Sequence, residues 1–221
     1  MSDMHDFNDG NGPVPAHRHS NGGGWVAETA KVDESAHVGP HAKVYGNAKV
    51  SDYAQVYGYA KVYGNAKVYG SAYVYGNALV SDYAQIFGYA SIFDNAEVYG
   101  EAQVCGYAQV YGNAKVYGDA SVFGDAQVYG HAQVYGHAQV YGYAWVSGHA
   151  QVSGDAWVYG NDNAAKIAQL NRKLDALRNE VKAWRDADDS REEERLPWSK
   201  AQAICKAMDV TDTLNALEDE R

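Results

Sequence analysis

Val44-Tyr45-Gly46-Asn47-Ala48-Lys49, Val50-Ser51-Asp52-Tyr53-Ala54-Gln55 and Val56-Tyr57-Gly58-Tyr59-Ala60-Lys61 are three successive copies of one six-residue unit. The unit continues outward from them in both directions. An aliphatic residue recurs at every sixth position from Val26 to Val158, with Ile86 and Ile92 the only departures from Val. Four residues after each comes Ala, until Asp162 breaks the pattern, giving 23 repeats and 22 alanines. Within Ala-Lys-Val-Tyr the side chains alternate, so Ala and Val face one way while Lys and Tyr face the other. The Gly that follows supplies a corner, because it takes positive φ without steric cost. Asp52, Asp82 and Asp94 hold that place in three repeats, and Asp tolerates the same conformation.

A short strand and a two-residue corner, three times over, close a coil of 18 residues. The sequence therefore predicts an all-β solenoid over residues 26–163: a parallel β-helix shaped as a triangular prism, with about 7–8 coils at roughly 4.8 Å each. Val and Ala suit an interior too narrow for larger side chains. Backbone amides pairing from coil to coil replace the missing bulky core. Composition agrees: all 19 tyrosines lie between Tyr45 and Tyr159, and Leu79 is the only Leu before Leu170.

The formal net charge of −10 divides as −2 over residues 1–25, −6 over 26–163 and −2 over 164–221. No basic block exists, which argues against a nucleic-acid groove or a polybasic membrane patch. Mimicry of DNA is disfavoured too, since duplex DNA carries one charge per ~1.7 Å and the rod carries far fewer. The two cysteines, Cys105 and Cys205, lie in different segments and fit reduced thiols in the cytosol. The first residues lack a signal-peptide pattern, and no apolar run reaches membrane-spanning length. The expectation is a cytoplasmic protein with no membrane contact.

Folding the sequence at 18 residues stacks aromatic rows on all three sides: Tyr45, Tyr63, Ser81, Tyr99, Tyr117 and Tyr135; Tyr69, Phe87, Cys105, Phe123, Tyr141 and Tyr159; Tyr57, Tyr75, Phe93, Tyr111, Tyr129 and Ser147. Where a row lapses at Ser51, Ser81 or Cys105, a Tyr appears two residues later, at Tyr53, Tyr83 or Tyr107. Rows on every side read as cladding of the strands. Histidines interrupt the symmetry. His131 and His149 should stack at one corner, with His137 at the next. The candidate binding surface is Tyr129, Tyr135, Tyr141, Tyr143, Trp145, His131, His137 and His149. Three ligands on different prism edges cannot meet at one metal within a chain, so neither a metal site nor a catalytic residue is assigned and no cofactor is expected. His17 and His19 form a pair without further ligands. Five of the rod's six lysines lie at Lys31, Lys43, Lys49, Lys61 and Lys67, and Asp119, Asp125 and Asp155 mark the far half.

Both ends depart from the repeat. Residues 1–25, rich in Gly, His and Pro, are expected to form an irregular N-terminal cap, with Trp25 covering the Val/Ala core. Over 164–221 the period changes to three and four: Ile167, Leu170, Leu174, Leu177, Val181 and Trp184 form a coiled-coil seam. This α-helical segment is expected to assemble subunits or dock a partner.

The early repeats, Val26-Ala27-Glu28-Thr29-Ala30, Val32-Asp33-Glu34-Ser35-Ala36 and Val38-Gly39-Pro40-His41-Ala42, resemble the bacterial hexapeptide-repeat proteins. The later Val-Tyr-Gly-Asn-Ala-Lys version is similar to very regular hexapeptide proteins of phages, prophages and bacteria. The resemblance implies a left-handed coil and a homo-oligomer, a trimer before a dimer. Many such proteins are acyltransferases, which interrupt their repeats with loops carrying a catalytic His. The 23 repeats here contain no insertion. The expected function is therefore a non-catalytic binding or scaffold protein for a protein partner, of the phage or prophage type that binds a host factor. The alternative is an acyltransferase using an acyl-coenzyme A donor at a subunit interface.

Overall fold

A computed structural model describes residues 3–160. The six-residue period becomes a coil with three faces. Short strands begin six residues apart, at Trp25–Ala27 (β3), Lys31–Val32 (β4) and His37–Val38 (β5), and continue to Trp157–Tyr159. Each strand pairs in parallel with the strand 18 residues on, as in Lys43↔Lys61 and Val44↔Val62 on the first face, Lys49↔Lys67 on the second and Gln55↔Tyr73 on the third. The three sheets hold 10, 8 and 7 strands. Register is in phase throughout, so equivalent positions of successive coils lie directly over one another.

The strands span two or three residues, yet the ladder does not stop at their ends. Lys43, Tyr45 and Asn47 donate their amides to the carbonyls of Ala60, Val62 and Gly64 in the next coil, at 2.7–3.0 Å. The last of these bonds lies in the corner itself, so the turns are stitched as firmly as the faces. Positive φ recurs at the predicted places, 69° at Gly46 and 58–59° at Asp52, Asp82 and Asp94.

Inside the coil the repeated Val and Ala are buried, with only Ala30, Val32 and Ala156 near the ends partly exposed; Ala108 and Val110 show no exposure at all. Ile86 and Ile92 are the largest side chains of this interior. Fully burying one Val contributes about 1.5–3 kcal/mol, repeated at every side of every coil. The stack is therefore stabilised along its length rather than at one centre.

The N-terminal segment corrects the expectation of an irregular cap. Asp3–His5 (β1) and Val14–Arg18 (β2) are strands, and β1, β2 and β3 run antiparallel as an extension of the first face. Pro15 fits because it lies beyond the end of β3, where its carbonyl accepts the Glu28 amide at 2.9 Å and no donor is required of it. The meander builds a second small core from Phe7, Ala16, Ala27 and Tyr45. Trp25 does not cover the Val/Ala interior. Strand alternation sends Val26 inward and Trp25 outward, where its ring stacks on His5 at 4.1 Å and takes the Arg18 guanidinium on its face at 4.1 Å.

Close approach explains the glycines ahead of it. A Cβ on Gly22 would lie 2.4 Å from the Val38 carbonyl oxygen, and one on Gly24 would lie 2.4 Å from Val38 Cγ1. Without side chains, this segment reaches β5 and exchanges hydrogen bonds with it, Gly24 donating to the Val38 carbonyl and the Val38 amide to that of Asn21. The expected helical seam, Ile167, Leu170, Leu174, Leu177, Val181 and Trp184, lies outside the described residues.

Candidate binding surface

Most of the tyrosines fall into two populations. On the faces they stack in unbroken runs with near-parallel rings: Tyr57, Tyr75, Phe93, Tyr111 and Tyr129 at 4.8–4.9 Å on the third face, and Tyr99, Tyr117 and Tyr135 at 4.9–5.0 Å on the first. The second face carries Tyr69 on Phe87 and Phe123 on Tyr141, both at 5.0 Å. Phe7 continues the first-face row past Tyr45 and Tyr63. Two of their hydroxyls turn to neighbouring glutamines, Tyr111 donating to Gln127 and Tyr117 to Gln133 at 3.2 Å. Burial raises the phenol pKa at Tyr57, Tyr75, Tyr99, Tyr111 and Tyr117. At Tyr45 burial, reinforced by Tyr63, pushes it up to about 12. Each stacked pair contributes about 0.5–1.5 kcal/mol beyond its buried area. These rings clad the strands.

The second population stands at the corners. Tyr53, Tyr89, Tyr107 and Tyr143 all occupy the edge between the second and third faces, with exposures of 72, 55, 60 and 64%. Tyr89 and Tyr107 stack on each other at 5.0 Å. Tyr53 and Tyr107 follow lapses of the second-face row at Ser51 and Cys105, yet their exposure shows that they do not refill it. They project into solvent instead. Among the described residues, the other corner tyrosines are Tyr59, which stacks on His41, and Tyr83.

The candidates singled out from sequence do not form one surface. Tyr135, Tyr141 and Tyr129 belong to the first, second and third faces respectively, each inside its own stack. Trp145 projects from the third face, 58% exposed, next to Tyr143 on the neighbouring edge. His131 and His149 stack as expected, at 5.0 Å, on the edge between the third and first faces. His137 is on the edge between the first and second, its Nδ1 3.3 Å from Asp119 Oδ2. Residues spread over three faces and three edges cannot grip one small ligand. His17 bonds Glu28 Oε1 at 3.0 Å while His19 approaches the Asn21 carbonyl oxygen at 3.2 Å, so that pair diverges as well. Among the described residues, no three His, Cys, Asp or Glu side chains converge to hold a metal. The Cys105 thiol is half-buried and its pKa is raised by desolvation, the opposite of an activated nucleophile.

What the sequence reading missed is the gathering of Tyr53, Tyr89, Tyr107 and Tyr143 along one edge. The signal was available: these four share one position of the 18-residue frame. The first face also has a notch at Ser81, where its aromatic row lapses, of about 270 Å³ and lined by Tyr63, Leu79, Ser81, Asp82, Glu97 and Tyr99.

The YdcK β-solenoid repeat model matches residues 108–124 and 132–148. The match agrees with the β-solenoid that the described residues form. Each matched stretch covers nearly one coil of the solenoid, inside the region where the ladders are regular. No curated protein matches the chain.

Proposed function

We propose that this solenoid is a non-catalytic binding protein that holds a protein partner along the edge between its second and third faces. The observation that carries the reading is the row Tyr53, Tyr89, Tyr107 and Tyr143, each more than half exposed on that one edge. Exposed tyrosines offer large, rigid, amphipathic contact area at low entropic cost, which is why they are enriched at protein interfaces. Tyr53 and Tyr143 stand five coils apart, roughly 24 Å at 4.8 Å per coil, a span fit for a folded domain. The unbroken repeats support the same reading, since no inserted loop rises between residues 26 and 160 to wall a substrate cleft.

The finer proposal follows the hexapeptide resemblance. The coil is left-handed, and the seam from Ile167 to Trp184 joins subunits into a trimer. The partner is a host protein met in the cytoplasm by a chain of phage or prophage type. The test replaces Tyr53, Tyr89, Tyr107 and Tyr143 together by Ser, already the occupant at Ser35 and Ser71 of the same edge. A protein captured from lysate by the parent chain is purified, and its Kd is measured against parent and variant. A loss of at least about tenfold with unchanged circular dichroism is expected. Equal Kd values refute the edge as the contact surface, and saturable coenzyme A binding by the parent would shift the reading to acyl transfer.

A further inference from the structure

The notch at Ser81 lies away from that edge and has a chemistry of its own. Tyr63 and Tyr99 belong to one row but stand two coils apart, with Ser81 in the place of the ring between them. Ser81 is 7% exposed, and Leu79, Asp82 and Glu97 complete the lining between the two tyrosines. We propose that this notch binds the side chain of an arginine presented by a protein partner, with the guanidinium sandwiched between Tyr63 and Tyr99.

Spacing is the first argument. Neighbouring rings on this face lie 4.9–5.0 Å apart, so two coils leave a gap of about 10 Å. A planar group midway is ~5 Å from each ring, inside the ~6 Å reach of a cation–π contact. The protein itself shows that a flat group at this pitch stacks without strain, because Tyr45 stacks on Tyr63, and Tyr117 on both Tyr99 and Tyr135, in the same row.

Charge selects the cation over a neutral ring. Asp82 Oδ2 accepts the Gly100 amide at 3.1 Å, which leaves further acceptor capacity on the carboxylate. Glu97 is paired with Lys115 at 2.9 Å and keeps its second oxygen. Lys61 is in register with Leu79 but does not line the notch. The comparable lapse on the second face supplies the contrast. Cys105 sits between Phe87 and Phe123, with Gln103, Gly106 and Ser121 in the places of Leu79, Asp82 and Glu97. That gap has no carboxylate. Guanidinium rather than ammonium follows from shape, since arginine is flat, stacks on aromatic faces and meets carboxylates with a fork of donors.

The test uses the full chain with its tyrosine rings isotope-labelled, titrated by NMR with an acetylated, amidated Gly-Arg-Gly peptide. Parallel titrations use the citrulline and phenylalanine analogues. Saturable shifts at Tyr63 and Tyr99 are expected with the arginine peptide, and binding at least about tenfold weaker with the other two. Ser81→Tyr completes the row and should abolish binding while leaving the circular dichroism unchanged. Asp82→Asn keeps a residue that tolerates positive φ and should weaken binding several-fold. The Ser variant of the four edge tyrosines should bind the peptide as the parent does, so this proposal and the edge contact stand or fall separately. No saturable binding by the parent, undiminished binding by Ser81→Tyr or Asp82→Asn, or equal affinity for the citrulline or phenylalanine peptide would overturn it.

Discussion

Gly88→Ala and Gly88→Asp separate two ways of filling a corner. Gly88 has a φ of 71°, and a Cβ built on it would sit 3.1 Å from the Gly106 amide nitrogen and 3.3 Å from its carbonyl oxygen in the next coil. Alanine there takes the left-handed conformation at a cost of about 1–2 kcal/mol and crowds that neighbour as well. The structure shows how aspartate escapes. At Asp52, on the same edge, φ closes to 59° and Oδ2 accepts the Gly70 amide at 2.9 Å. A charge-assisted hydrogen bond of this kind offsets most of the backbone penalty. The expected order of stability is parent, then Gly88→Asp within about 0.5 kcal/mol, then Gly88→Ala lower by about 1–2 kcal/mol. At roughly 2–4 °C per kcal/mol for a chain of this size, the alanine variant should melt about 2–8 °C below the parent. Thermal denaturation followed by circular dichroism measures this. An alanine variant as stable as the parent, or an aspartate variant at least as unstable as the alanine one, would refute the account of the corner.

Val110→Asp, which buries a carboxylate at a fully buried site, should unfold neighbouring coils and open them to proteolysis, whereas Ile92→Val should cost only about 0.5–1.5 kcal/mol. Ultraviolet titration of the phenols should show one group ionising near pH 12, and Tyr45→Phe should remove that last step. Because the Tyr45 pKa is raised on folding, its contribution to stability is complete below pH 10 and is lost as pH rises from there towards 12. His5 has the opposite sense: burial, with Lys43 and Arg18 nearby, lowers its pKa from 6.5, and its Nε2 is buried without a hydrogen-bond partner. Its stabilising contribution is present above pH 6.5 and is lost on acidification, so amide exchange in β1 and β2 should quicken at low pH, and less so in His5→Phe. A chain ending at residue 163 should keep its strand signal and show a lower oligomeric state by light scattering; an unchanged number of subunits would mean that they meet along the solenoid.

The coil was legible in the sequence because every level of structure repeats with the same period. Val110, Tyr111 and Gly112 hold the same places in the coil as the residues 18 positions away, so local preference and long-range pairing agree. The N-terminal strands were not legible. Val14–Arg18 contains Pro15 and no clean alternation, and its strand form depends on being paired on both sides, by β1 and by β3. Trp25 misled because its size reads as a lid, although the strand phase set by Val26 turns it outward. The edge tyrosines could have been found by following Tyr53 rather than Tyr57 along the 18-residue frame. The notch was half visible. The lapse at Ser81 shows in the row itself, but Glu97 joins it from the next coil, sixteen residues on.

In-phase register between coils gives chain length an angular meaning. Removing one six-residue unit from the solenoid would leave strand, corner and interior intact but turn everything after the deletion by one face, a third of a revolution. Removing eighteen would only draw the later coils closer by one step. Two features of this rod, such as the tyrosine edge and the Ser81 notch, therefore hold a bearing to each other that is set by their sequence separation counted modulo eighteen. Duplication or loss of whole coils can lengthen or shorten such a protein while preserving which way each site points. A change of a single repeat re-aims one part of the molecule against the other, and does so without altering a single buried contact type.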